Sequence, residues 1–441
     1  MSTERHTGGT TALHALLEAQ SLKSYHFVIF GLCFLGLMLD GFCAQTMGYV
    51  APVLKDQLHI PPQELGRVFS ASIFGMLLGS ITLSVAADKF GRRPVMVGAL
   101  LWAGALVTYT ATARSLDELI VLRFLTGLGL GTLMPTLLSL ISEYSPLKSR
   151  TTIVTIACTG FVLGAAVGGG IASFLIPHYG PYSVFLFSGL ATITIAIVLQ
   201  LCAPESIQYL ASKEKLPVER ICAILRRFGI ETDEATALAQ STRNAGTKAG
   251  WKTIFSGSQG VVTLLLWVVN FTNLLDLYFL SNWLPTLLKS YGLALAVAIA
   301  GATALQSGGL PGSLGLAILI RRFRIEYVLM INFLLASIAI ASVGYAVGTE
   351  FLHPAIFIAG VCIIGGQSAV NSLTAHCYPS QIRSTGMGWA MGVGRIGSIL
   401  GPIIGGRMVA NHHGPQDIMF MAAGAAFISF VAVTLMTRHN K

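Results

Sequence analysis

Four ionisable side chains sit inside long apolar stretches of this sequence: Asp40, Arg123, Asp276 and Arg395. Each type has a defined chemistry. A carboxyl takes up and releases a proton, passing between a charged and a neutral form. A guanidinium keeps its charge and pairs with anions, often through two hydrogen bonds. Charges in a hydrocarbon environment are costly, so they face a cavity or a partner and mark an ion path. Of the 19 Asp and Glu residues, only Asp40 and Asp276 lie deep in apolar segments. Their surroundings agree loosely, Leu-Met-Leu-Asp-Gly-Phe at 37–42 and Asn-Leu-Leu-Asp-Leu-Tyr at 273–278. The expectation is that both acids face one central cavity as proton carriers. Arg123 and Arg395 would neutralise an aspartate or hold an anionic substrate. Gln45, Tyr278, Asn282, Gln367, Asn371 and Trp389 are further candidates for the cavity wall, with Gln367 and Asn371 four apart on one helix face.

The elements that position these groups follow from composition. Hydrophobic residues make up 54% of the 441, and charged residues only 11%, against about a quarter in a soluble domain. That excludes a disordered chain, a disulfide scaffold and a soluble enzyme, and predicts an all-α polytopic membrane protein in a lipid bilayer. Forty-eight glycines fit close-packed membrane helices. The seven cysteines show no metal-ligand spacing, and no nucleophile–base pair or phosphate-binding glycine loop occurs, so neither an enzyme nor a cofactor is expected. The net charge of +9 comes from short basic runs between apolar segments, which argues against nucleic acid.

A spanning helix needs about 20 mostly apolar residues. The sequence predicts twelve, in two sets of six over 26–203 and 260–437. A cytoplasmic linker at 204–259 joins them, and cytoplasmic tails flank them at 1–25 and 438–441. The first 25 residues lack a signal peptide's plan. Of the 28 Lys and Arg, five (Lys55, Arg67, Arg114, Lys289, Arg407) fall on one side and two (Arg123, Arg395) within spans. The remaining 21 fall on the side of both termini, which the positive-inside rule makes cytoplasmic.

The loop between the second and third spans reads Ala87-Asp88-Lys89-Phe90-Gly91-Arg92-Arg93-Pro94. This resembles the signature loop of the major facilitator superfamily, with Ser84 where a glycine is usual. Further strings resemble its aromatic acid:H⁺ symporter family: Leu39-Asp40-Gly41-Phe42, Arg123-Phe124-Leu125-Thr126-Gly127, Ser142-Glu143-Tyr144, Pro204-Glu205-Ser206, Trp283-Leu284-Pro285, and Ile382-Arg383-Ser384-Thr385-Gly386-Met387-Gly388-Trp389 running on to Arg395.

The resemblance implies two six-helix bundles around a central cavity, working by alternating access as a monomer in a bacterial inner membrane. It implies proton-coupled import of a small aromatic carboxylate of hydroxybenzoate or phenylpropanoate type. A carrier of non-aromatic acids, a proton-driven exporter and a non-transporting sensor remain alternatives. Asp88, Arg92, Arg93, Glu143 and Arg383 would form the gating latch. The family's first span usually carries Asp-Gly-Phe-Asp. Here the second acid is Cys43, a thiol that cannot replace a carboxylate as a proton carrier near neutral pH.

Overall fold

A computed structural model describes residues 22–211, 223, 224, 226, 259–378, 383–411 and 413–439. Twelve long helices account for nearly all of them. The first six are α1 (Ser24–Gln57), α2 (Pro62–Phe90), α3 (Arg92–Thr110), α4 (Leu116–Tyr144), α5 (Leu147–Tyr179) and α6 (Tyr182–Cys202). The second six are α7 (Gln259–Ser290), α8 (Leu295–Arg322), α9 (Ile325–Ala346), α10 (Leu352–Cys377), α11 (Arg383–Ala410) and α12 (Pro415–His439). Eleven are long and apolar enough to cross a membrane. The twelfth, α3, begins on the charged pair Arg92-Arg93, so its uncharged run, 94–110, falls short of a full span of about 20 residues. The tail over 1–21, most of the linker and residues 440–441 lie outside the described residues.

Local signals fix the helix ends. Ser115 caps α4 by accepting a hydrogen bond from Glu118 N at 3.3 Å, with Asp117 and Glu118 in its first turn. Gly91, at φ +109°, is the whole connection between α2 and α3, and left-handed backbone of this kind favours glycine.

Within each half the same pairs of helices touch most closely. Cβ atoms added at Gly75 or Gly79 of α2 would collide with backbone of α4 at Phe124 and Leu128, and at Gly127 or Gly131 of α4 with backbone of α2. The equivalent seam of the second half joins α8 and α10 through Gly308, Gly312 and Gly360. Likewise Gly41 and Gly164 seat α1 on α5, and Gly397 and Gly401 seat α11 on α7. Where lipid offers no hydrophobic drive for association, such backbone approach supplies dispersion contacts instead. The repetition confirms two bundles of one design.

Among the described residues the polar contacts between the halves gather toward one end. Call the face where α1 begins and α12 ends the terminal face, and the opposite one the distal face. Between described residues, each hydrogen bond or ring contact joining the halves lies in the distal part of the helices. Gln45 Nε2 donates to Ser281 O, and Ser70 Oγ donates to Ile399 O at 2.8 Å. Phe69 packs edge-on against Trp283, centroids 5.5 Å apart. At the rim, Lys289 Nζ of α7 pairs with Asp56 Oδ2 of α1 at 2.5 Å and donates to Pro52 O at 3.1 Å. The halves are therefore closed on the distal side.

The rim pair is partly exposed, and exposed pairs contribute about 0.2–1 kcal/mol. Lys289→Gln is therefore expected to raise the population open on the distal side by up to about fivefold. Spin labels on the α1–α2 and α7–α8 loops would report it as a growing long-distance component. An unchanged distance distribution would remove the pair from the gate.

Candidate functional site

Gln45 and Ser281, bonded to each other across the halves, each stand five residues after an acid, Asp40 and Asp276. The two acids thus occupy the same place in the two bundles, yet their surroundings differ. Asp40 is 1% exposed. It lies within Coulombic reach of the Arg395 guanidinium, which crosses from α11 of the other half. Arg395 is half-buried, and its Nη1 donates to the Tyr278 hydroxyl of α7 at 3.3 Å. One guanidinium therefore stands between a carboxyl of the first half and a phenol of the second.

Asp276 does not join this group. It is fully buried, and neither of its oxygens has a hydrogen-bond partner among the described residues. Among the described residues no charged group lies beside it. Two residues separate it from Tyr278, so it leaves α7 about 200° around the axis, on the opposite face. Asp276 thus stands apart from the Arg395–Tyr278 group, on the side of α7 nearer Asn273, three residues before it.

Arg123 also differs from its expected place. It is 1% exposed inside the first half, with its guanidinium 5.1 Å from the Phe185 ring centre and Nη2 donating to Thr110 Oγ1 at 3.3 Å. Its Nε has no partner among the described residues. Cys43 lies beside it, Sγ 3.3 Å from Thr192 Oγ1, within Coulombic reach of both Asp40 and Arg123. Cys43 thus stands between the Asp40–Arg395 pair and Arg123.

On the second half, three amides form a chain. Asn273 Nδ2 of α7 donates to Gln367 Oε1 of α10 at 2.7 Å, and Gln367 Nε2 donates to Asn371 Oδ1 at 3.0 Å. Gln367 and Asn371 are half-buried and neighbour exposed Ser368 and Ser372. Together they make a partly exposed polar strip along α10. Asn282 donates to its own helix at Tyr278 O, 2.7 Å away, and packs in the α1–α7 seam near Gly48. Trp389 is 46% exposed and stacks on Trp267, centroids 5.9 Å apart. It shares its face with exposed Ile396 and Leu400, seven and eleven residues on. That apolar stripe lies about 120° around α11 from Arg395, so Trp389 does not join the Arg395 group.

At the terminal face, Arg92 Nη1 pairs with Glu143 Oε2 at 2.6 Å, and Ser206 Oγ donates to the same oxygen at 2.7 Å. Glu205 Oε1 accepts from Arg93 N at 3.1 Å, so a carboxylate from the end of α6 caps α3. Arg93 also donates to Gln200 O, and Tyr144 OH donates to Glu205 O at 2.6 Å. Arg93 and Glu205 border a cleft of about 610 Å³, apart from the Asp40–Arg395 group. The side chains of Asp88 and Arg383 lie outside the described residues. Asn273, Thr110 and Phe185 carry no sequence signal for their roles. For Glu205 and Ser206, the Pro-Glu-Ser string directly after an apolar span is such a signal.

Two closed bundles, a charged group at their seam and a partly exposed polar strip define a membrane transporter of the two-bundle class. The model of the Major Facilitator Superfamily matches residues 33–402, and the chain belongs to that superfamily. It is 36% identical to the 4-hydroxybenzoate transporter PcaK of Pseudomonas putida over 397 residues, 89% of this chain and 88% of that one. It is 33% identical to the gallate transporter of Pseudomonas putida, covering 95% and 93% of the two chains. Identity to the 3-(3-hydroxy-phenyl)propionate transporter of Escherichia coli (strain K12) is 30%, covering 96% of each. Among solved structures, the inward open conformation of the xylose transporter XylE from E. coli matches with a TM-score of 0.74. That match covers 93% of this chain and 95% of the other at 14% identity, a likeness of fold. The protein is a multi-pass membrane transporter related to carriers of aromatic acids, and not an enzyme.

Two expected outcomes follow from this geometry. Cys43→Asp gives Arg123 a carboxylate and balances two acids against two bases, so it is expected to raise Tm by a few degrees in detergent. A fall in Tm would mean that Arg123 is already satisfied. Arg92→Ala removes the ion-pair partner of a buried Glu143 while leaving the seam untouched. It is expected to slow transport several-fold without altering the order of preferred substrates; a changed order, measured by competition, would contradict a purely structural latch.

Proposed function

We propose that the protein is a proton-coupled symporter that imports a small aromatic carboxylate, of hydroxybenzoate or phenylpropanoate type, across a bacterial inner membrane. The terminal face is cytoplasmic in this reading, as the distribution of Lys and Arg supports. The names of the relatives support an aromatic acid as substrate. The observation that carries the mechanism is Arg395, set between Asp40 and Tyr278 at the seam of the halves.

With Asp40 ionised, its carboxylate offsets Arg395, while Arg123, on the other side of Cys43, keeps its positive charge. An anionic substrate offsets that charge, and its carboxylate competes with Asp40 for Arg395. Protonation of Asp40 ends the competition and leaves Arg395 to the substrate through a charge-assisted pair. Loss of the proton reverses the exchange: Asp40 takes back Arg395 and the acid is released. Proton and substrate thus move together because each alters the hold on one guanidinium. Tyr278 keeps that guanidinium in place throughout. Asp276, on the far face of α7, takes no part in the exchange.

Alternating access follows from the distal contacts. Opening to the outside breaks Gln45–Ser281, Ser70–Ile399 and Lys289–Asp56, while the glycine seams inside each half persist. A ligand shifts such an equilibrium only through its differential affinity for the two states. The substrate supplies it by pairing with Arg395 of the second half while displacing that guanidinium from Asp40 of the first.

The test is uptake of labelled 4-hydroxybenzoate, gallate and 3-(3-hydroxyphenyl)propionate by cells expressing the protein, with and without a protonophore. Accumulation of at least one, abolished by the protonophore, is expected. Asp40→Asn is expected to lose accumulation against a gradient yet retain exchange of labelled for unlabelled acid. Gradient-driven accumulation by Asp40→Asn would assign the proton to another group.

A further inference from the structure

We propose that the amide chain Asn273–Gln367–Asn371 is the specificity element of this transporter, binding a hydroxyl on the aromatic ring at the end opposite the carboxylate. The proposal rests on the aromatic-carboxylate reading above and assigns the other pole of the same site.

Three observations carry it. The first is the chain's open end. Asn273 donates to Gln367 and Gln367 to Asn371, each bond within 2.7–3.0 Å. The Asn371 amide nitrogen has no partner among the described residues, and Asn371 is half-buried beside exposed Ser372. An amide chain has a polarity, and its last group is left for a ligand. Turning all three amides over would present an oxygen there instead of an NH₂. A hydroxyl suits either case, because it both donates and accepts.

The second is the depth of the strip. Gln367, Ser368, Asn371 and Ser372 form one polar, partly exposed run on a membrane helix, and Ser313 of α8 lies 3.4 Å from Ser368. Such a run faces water between the halves, where a substrate passes.

The third is spacing. Tyr278, which holds Arg395, and Asn273, which holds the chain, both hang from α7. Asn273 lies five residues before Tyr278, about 7.5 Å along the axis, and Asn371 one turn of α10 beyond, about 5.4 Å further. Since α7 and α10 run in opposite directions, both steps lead toward the terminal face. The two poles are about 13 Å apart along the helices, room for one aromatic ring with a hydrogen bond of about 2.8 Å at either end. Leu274 and Leu277, half-buried on the intervening turn of α7, offer the ring an apolar surface.

A site built to bond a hydroxyl discriminates against the analogue that lacks it, since its own polar group is then left unpaired. The experiment uses the full-length protein in liposomes with an imposed proton gradient. Labelled benzoate, 3-hydroxybenzoate and 4-hydroxybenzoate are each taken to saturation. The wild type is expected to show its lowest KM for 4-hydroxybenzoate. In Asn371→Ala the ratio of KM for benzoate to KM for 4-hydroxybenzoate is expected to fall five- to tenfold, roughly the worth of one neutral hydrogen bond. Gln367→Leu is expected to move it the same way. Asn371→Ser, which keeps a short hydroxyl in place, is expected to recover part of the ratio and guards against a variant that does not insert. A merely structural role would alter all three KM values alike, and a constant ratio overturns the proposal. Transport of none of the three acids by the wild type would fell the aromatic-carboxylate reading itself, and this proposal with it.

Discussion

An unbalanced charge in a low-dielectric interior governs the rest of this molecule. Asp40 and Cys43 of α1, Arg123 of α4 and Arg395 of α11 form one electrostatic group, with two fixed positive charges and one carboxyl that can change state. Isolated charges in such surroundings are costly, so the protein must either fill the deficit or let a ligand do so. Arg123 is sheltered by the Phe185 face and the Thr110 hydroxyl. Arg395 is left at the seam with a carboxyl on one side and a phenol on the other. An anion and a proton thereby become alternative answers to one electrostatic problem, which is what coupling requires.

The remainder of the architecture keeps that problem from being solved by leakage. The distal contacts exclude water on one side of the charged group. Among the described residues they are few: three hydrogen bonds, one aromatic pair and one ion pair, each at a surface where rigid halves slide apart. At the other end, the Arg92–Glu143–Ser206 and Glu205–Arg93 bonds tie α3, α4 and the segment after α6 together within one half. They stiffen that half as a body and do not cross the seam, so motion is confined to the interface.

Much of this was legible in the sequence, for definite reasons. Charges inside apolar runs have a physical cost, so Asp40 and Arg395 stood out without any fold. Spacing of four placed Gln367 and Asn371 on one face, and the structure joins them by a hydrogen bond. What the sequence could not supply is azimuth relative to neighbours. Asp276 and Tyr278 are two residues apart and equally plausible, yet they point to opposite sides of α7. Arg123 turns inward because Phe185 and Thr110 receive it, a pairing across three helices with no local trace. Trp389 stacks on Trp267, a contact that only the packing of α11 on α7 defines. Asn273 looked like any polar residue of a span until α10 was laid beside it.

The glycine seams divide the protein into parts with unequal capacity for evolutionary change. Along α2–α4 and α8–α10, an added Cβ meets backbone of the neighbouring helix, so these positions are closed to substitution except by rebuilding both partners. The water-facing strip on α10 carries no such penalty: its side chains border solvent and can be exchanged singly. New cargo can therefore be acquired by drift along the strip while the moving bodies stay constant. A lineage of such carriers would diversify in diet without ever redesigning its machinery.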